Sequence, residues 1–164
     1  MNIIDCKQSH YQQLADIYNY YIENTVISFE EDVLDAATFG ARVEEYTKKY
    51  PWLVGEVDKQ VVGYAYATKW QGRSAYRDTA EISIYLHQGH VGKGYGKPLY
   101  KAVLDKLRAQ GCHVIVAGIA LPNDASVKLQ EHFGFEKVAH FKEVGFKHNE
   151  WIDVGYWQLT TDSQ

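Results

Sequence analysis

The stretch TAEISIYLHQGHVGKGYGKPLYKAVL, residues 79–104, constrains this chain more than any other. It opens with the polar–apolar alternation of a half-buried strand. It then passes through glycines two apart at Gly92, Gly94 and Gly96. It closes in an apolar pattern of helical period, Leu99, Val103 and Leu104, which continues to Leu107. Strand, glycine turn and helix in that order commit the chain to a sheet with a helix packed on it. They also place flexible backbone before a helix N-terminus, where N–H groups lack intrahelical partners and the dipole is positive. Glycines let an anion, often a phosphate, approach such groups. Val91, Gly92, Lys93, Gly94, Tyr95, Gly96 and Lys97 are therefore a candidate phosphate cradle, and Lys93 or Lys97 can add charge. The plain alternative is a surface turn.

Two common phosphate loops do not fit. A P-loop needs G-x-x-x-x-G-K-[ST], but Val91 stands at its first position and Pro98 at its last. A dinucleotide fingerprint needs G-x-G-x-x-G, whereas the spacing here is G-x-G-x-G. Pro98 suits the first helical turn, where its missing N–H costs little.

The rest of the chain reads as one domain over residues 1–164. Residues 2–6 form a first strand. Ser9 with Gln12 makes a capping box for a helix whose face is Tyr11, Leu14, Ala15, Tyr18, Tyr21 and Ile22. Asp35 caps a second helix with Phe39, Val43, Tyr46 and Tyr50 on its face, stopped by Pro51. WLVGEV and VVGYAYATKW form a hairpin about Asp58, and QGRSAYRD is a loop. After residues 79–104, whose helix runs from about Gly94 to Gln110, CHVIVAGI is a buried strand. Asn123 or Asp124 caps a short helix that runs through Phe133, and FEKVAHF and WIDVGYWQL are the last strands. The order β-α-α-β-β-β-α-β-α-β-β predicts a mixed α/β fold, its sheet covered by helices on both faces.

Composition excludes some functions. The net charge of −4, with scattered Lys and Arg, gives no footprint for nucleic acid. No apolar run is long enough to span a membrane, and Asp5 interrupts the opening apolar run, so no signal peptide is expected. Cys6 and Cys112 read as reduced core residues, which favours a cytoplasmic setting. His87 and His90 have ligand-like spacing but no carboxylate or Cys companions, so no metal site is expected. Thirteen tyrosines suit amphipathic packing, with a few left to line a pocket.

Glu81 is the residue most suited to base chemistry. It begins the apolar strand AEISIYL, where desolvation raises a carboxylate pKa, and alternation puts it on one face with Ser83 and Tyr85. A solvent-facing charge is the competing reading.

The G-x-G-x-G turn resembles motif A of the GCN5-related N-acetyltransferases (GNAT), with Val91 departing from the usual Gln or Arg. LPNDASVKLQEHFGF and EVGFKHNEWIDVGYWQL, with YIENTVISFE, YPWLVGEVD, YAYATKWQGRSAY and TAEISIYL, resemble the phosphinothricin and methionine sulfoximine acetyltransferase branch. The resemblance covers nearly the whole chain. It implies the GNAT fold, with a central, mixed, mostly antiparallel twisted sheet. It implies acetyl-CoA as co-substrate, its pyrophosphate on residues 91–97. Its pantetheine would lie along Ile84, Tyr85 and Leu86 and against Asn123 and Ser126. It implies Glu81 as the base that frees the acceptor amine. Arg73, Tyr76 and Phe29 would recognise a small amino-acid analogue such as phosphinothricin or methionine sulfoximine or sulfone. It implies a homodimer with the FKHNEW segment at its interface. The family's usual general acid is a Tyr, or in this branch a His, where this chain has Gln130. Two rival readings stay open: an acetyltransferase for another small amine, and a non-catalytic acyl-CoA-binding module.

Overall fold

The computed structural model describes residues 1–162. Its elements run β1 (Asn2–Asp5), α1 (Tyr11–Asn24), α2 (Ala36–Thr47), β2 (Trp52–Val57), β3 (Gln60–Lys69), β4 (Thr79–Leu86), α3 (Gly96–Ala109), β5 (Val114–Leu121), α4 (Asp124–His132), β6 (Glu136–Lys147) and β7 (Glu150–Thr160). Short 3-10 turns cover Gln8–His10, Ser74–Tyr76 and Gln88–His90. The order of helices and strands is the one the sequence predicts. One sheet holds all seven strands in the order β1-β2-β3-β4-β5-β7-β6. Every pairing is antiparallel except that of β4 with β5.

Strand alternation divides the core in two. Leu53, Ala65 and Ala67 face α3, which covers them with Leu99, Tyr100, Val103, Leu104 and Leu107. Trp52, Val54 and Tyr64 face the other way, under Leu14, Tyr18 and Ile22 of α1 and Phe39 and Val43 of α2. Much of the tyrosine content belongs to this second layer. Trp52 and Tyr66 stack with ring centroids 4.0 Å apart and planes 10° from parallel. Tyr46 and Tyr64 extend the stack on either side. Each such pair contributes about 0.5–1.5 kcal/mol beyond its buried area.

Local signals explain most boundaries. Asp35 caps α2 by accepting from the Thr38 N–H at 2.7 Å. The β2–β3 turn places Asp58 and Lys59 at φ 49° and 65°, as a two-residue hairpin of the favoured hand demands. Three expectations are corrected. Ser9 and Gln12 form no capping box, because His10 takes over the helix start. Its Nδ1 accepts from the Lys7 N–H at 3.0 Å and its Nε2 meets Glu56 at 2.8 Å. The third helix begins at Gly96, since Gly94 sits at φ 84°, outside helical geometry. Cys6 and Cys112 lie just beyond strand ends and are half-buried, not core.

Leu99 is fully buried at the contact of α3 with the sheet. Leu99→Ala is expected to destabilise the protein by about 2–5 kcal/mol, read from urea unfolding. A loss under about 0.5 kcal/mol, the range of a surface substitution, would mean that α3 is not anchored there.

Candidate active site

The parallel pair β4–β5 stays together for three residues only. Thr79 pairs with Val114, Ala80 with Ile115 and Glu81 with Val116. Beyond that point β4 continues against β3 as far as Leu86, while β5 follows β7 to Leu121. The strands part and leave a narrow slot. Ile82, Ser83, Ile84 and Tyr85 line one side and residues 117–120 the other, with Asn123, Ser126 and Gln130 of the α4 segment beside it. Backbone amides without a sheet partner can bind an extended ligand as an added strand would.

At the far end of β4 lies the glycine turn. Gly92 and Gly94 adopt φ 79° and 84°, which a side chain would strain, and a Cβ on either would face open space. Residues 91–94 are exposed. A Cβ on Gly96 would stand 3.6 Å from Leu86 and 3.9 Å from Ile84, so the N-terminus of α3 sits close against the end of β4. Lys93 and Lys97 flank that terminus, both exposed. His87 steadies the approach by accepting from the Gly89 N–H at 3.0 Å. An open turn of backbone N–H groups at the start of a 14-residue helix fits a pyrophosphate.

At the other end Glu81 enters a cavity of about 700 Å³. Ser83 and Tyr85 share its face, as alternation requires, and Tyr18, Phe29 and Tyr156 complete the walls. Burial alone pushes the Glu81 carboxyl above its ordinary range. Across from it, a Cβ on Gly118 would lie 3.1 Å from the Tyr156 ring and 3.6 Å from Glu81 Oε1, so the absence of a side chain there keeps the cavity open. The other carboxylate in the cavity wall, Glu30, has a different state. The Arg42 guanidinium grips it through two bonds of 2.8 Å, and the Tyr18 hydroxyl donates to it. Arg42 holds the Glu30 carboxyl below its usual range. Glu81 is thus the carboxylate in the cavity with no cation to hold its charge among the described residues.

The structure brings Glu81 and Phe29 into one cavity, and Ile84, Tyr85, Asn123 and Ser126 into the adjoining slot. Asn123 also caps α4, its Oδ1 accepting from the Ser126 N–H at 3.1 Å. Leu86 stands outside the slot lining, and its carbonyl accepts from the Tyr21 hydroxyl. Arg73 and Tyr76 do not join Glu81. They line a separate groove with Tyr46 and Lys49. The loop closes on a Ser74–Tyr76 turn, with the Tyr76 N–H donating to Arg73 O at 3.0 Å, and Tyr76 packs edge-on against Trp70. Sequence reasoning missed Tyr18, Glu30, Gly118 and Tyr156. Gly118 and Tyr156 face each other across β5 and β7, a register that no local pattern displays.

The acetyltransferase (GNAT) domain model matches residues 4–155. A phosphinothricin N-acetyltransferase of Streptomyces viridochromogenes is 39% identical over 145 residues, covering 88% of this chain and 79% of that protein. An L-methionine sulfoximine/L-methionine sulfone acetyltransferase of Salmonella typhimurium is 35% identical over 153 residues, 91% of this chain and 88% of that one. The solved structure of yncA from Salmonella typhimurium with its cofactor acetyl-CoA superposes with a TM-score of 0.97 at 33% identity, covering 100% of this chain and 95% of that one. The chain belongs to the acetyltransferase (GNAT) family and is an acetyl-CoA-dependent N-acetyltransferase.

Proposed function

We propose that this enzyme acetylates the α-amino group of a small amino-acid analogue of the phosphinothricin or methionine sulfoximine type, by direct attack and with Glu81 as base. The observation that carries this reading is a carboxylate without a cation partner in a cavity that a slot joins to the glycine turn at a helix start. The relatives named for such acceptors support the substrate class.

Acetyl-CoA supplies the activated acetyl group. The N–H groups of residues 91–97 hold its pyrophosphate, with Lys93 or Lys97 adding charge. Ile84, Tyr85 and Leu86 guide the pantetheine through backbone groups, Leu86 with its N–H because Tyr21 occupies its carbonyl. Asn123 and Ser126 flank the arm from α4. Phe29, 43% exposed at the cavity mouth, packs on the acceptor. An amine attacks only when neutral, and Glu81, its affinity for a proton raised by burial, takes the ammonium proton. No acyl-enzyme is needed: burial pushes the Cys6 thiol up to about 12 and raises that of Cys112, so neither is a ready thiolate.

One observation favours a second acceptor class. Glu30 and Glu81 are the charged residues in the cavity lining, and Arg73 stands elsewhere. A small amine without a carboxylate suits that lining as well, and Arg73 no longer opposes it.

The proposed active form is a cytoplasmic homodimer and the enzymatic unit is a single domain. An exposed aromatic pair supports the dimer: Phe146, 53% exposed, packs against Trp151, 65% exposed, on the β6–β7 hairpin. Gly145 of that hairpin packs directly on Phe29, since a Cβ there would meet its ring at 2.5 Å. Register puts Gly145 and Phe141 on the cavity face of the hairpin and the Phe146–Trp151 pair on its opposite face.

Two results check this reading. Glu81→Gln is expected to lower kcat about 10²–10⁴-fold while leaving acetyl-CoA affinity intact. The wild-type rate falls with acidification through a pKa above the ordinary carboxylate range, and the variant loses that limb. A raised pKa also means that the folded state holds its proton more tightly than the unfolded state. Stability is therefore lost as pH rises through that window, and the Tm advantage of Glu81→Gln grows over the same range. An unchanged rate would remove Glu81 as the base. Light scattering should give twice the 18.8 kDa chain mass at micromolar concentration; a monomer would remove the dimer.

A further inference from the structure

We propose that the side-chain amide of Gln130 donates hydrogen bonds to the acetyl-CoA sulfur as it leaves, and that Tyr100 is the positioning residue that aims this amide. The inference rests on reading the β4–β5 slot as the seat of the thioester.

Gln130 is 3% exposed, a buried polar residue on a helix that packs against the core. Its Oε1 accepts from the Tyr100 hydroxyl. Tyr100 is fully buried, and this is the bond its hydroxyl makes among the described residues. That settles which way the amide points. Turned around, Gln130 would offer N–H groups to Tyr100 and leave the phenolic proton without an acceptor in the core, the costlier error. With Oε1 committed, both N–H groups of Nε2 stand without a hydrogen-bond partner among the described residues, and Gln130 lines the slot. The slot shares Ser83, Tyr85, Gly118 and Ala120 with the Glu81 cavity. A thioester whose carbonyl carbon meets an amine beside Glu81, and whose pyrophosphate lies at the start of α3, carries its sulfur through this slot.

The step balances without an acid. The C–N bond forms, the C–S bond breaks, and its electron pair leaves on sulfur. Glu81 receives the proton the ammonium gives up before attack, and the second nitrogen proton, released once the C–N bond has formed, passes to solvent. Gln130 has no proton to give and contributes hydrogen bonds to the growing thiolate charge, as donors in an oxyanion hole do. Solvent later protonates the thiolate. The titratable residues of α4, Asp124, Lys128, Glu131 and His132, are all exposed and outside the slot.

The test follows the thiol itself. CoA isotopically labelled at the carbon beside its sulfur is bound to the protein, and its NMR shift is titrated with pH. In the wild type the bound thiol should ionise at lower pH than free CoA. In Gln130→Leu the midpoint should rise by about one pH unit, a tenfold change in the ionisation constant. Gln130→Glu, which keeps the volume, should raise it further by placing a carboxylate near the thiolate. Tyr100→Phe should fall between wild type and Gln130→Leu, because the amide is then free to turn. The kcat of Gln130→Leu should drop roughly ten- to a hundredfold, the worth of a hydrogen bond to a charged group. CoA bound with wild-type affinity by Gln130→Leu and Gln130→Glu, yet ionising at the wild-type pH, would overturn the inference and leave the acetyltransferase reading standing. Failure of the wild type to bind CoA would overturn both.

Discussion

Two parallel strands that separate after three paired residues organise this molecule. Up to Glu81 and Val116 the pair β4–β5 closes the sheet across its middle. Beyond it each strand is held by its other neighbour, β4 by β3 and β5 by β7, so the gap cannot heal by sliding one strand over. The two antiparallel halves therefore meet at a joint and diverge from it. The joint puts Glu81 at the root of the gap. The divergence supplies a slot lined by backbone, and the remaining length of β4 carries the chain to the glycine turn. Carboxylate, slot and glycine turn are consecutive consequences of one strand and the place where its neighbour leaves it.

Charge is distributed along this axis to match. The glycine turn offers N–H groups at a helix start, with lysines beside it and no carboxylate in residues 91–97. The cavity offers carboxylates and hydroxyls. Of its two carboxylates, Glu30 is neutralised by Arg42 and serves to fix the loop that carries Ser28 and Phe29. Glu81 is left unpaired and partly desolvated, so its proton affinity rises above that of an ordinary carboxylate. One residue type does two jobs because one has a guanidinium within 3 Å and the other has none.

The parts of this arrangement that were legible in the sequence are those with local grammar. The glycine turn, the alternation that puts Glu81, Ser83 and Tyr85 on one face, and the Asn123 cap all depend on neighbours a few residues away. So does the order of elements. What could not be read depends on register or on competition. Gly118 and Tyr156 meet only because β5 and β7 pair with Gly118 opposite Tyr156. Ser9 looked like a helix cap, and lost to a His10 that Glu56, 46 residues away, holds in place. Arg73 has the chemistry for an anionic acceptor, yet its loop lines another groove. Gln130 stood out as a departure from the family pattern. Its meaning needed Tyr100, which approaches from another helix.

The most direct test of the whole account is CoA release from acetyl-CoA by the purified protein across a panel of amines. The panel holds phosphinothricin, methionine sulfoximine, methionine sulfone, ordinary amino acids and spermidine. The account predicts rapid release with the phosphinothricin or methionine sulfoximine class. Release only with amines lacking a carboxylate would contradict the acceptor class while keeping the fold and the base. Tight acetyl-CoA binding with no release from any of them would contradict the central claim, that an unpaired carboxylate at the root of the β4–β5 gap drives acetyl transfer to a small amine.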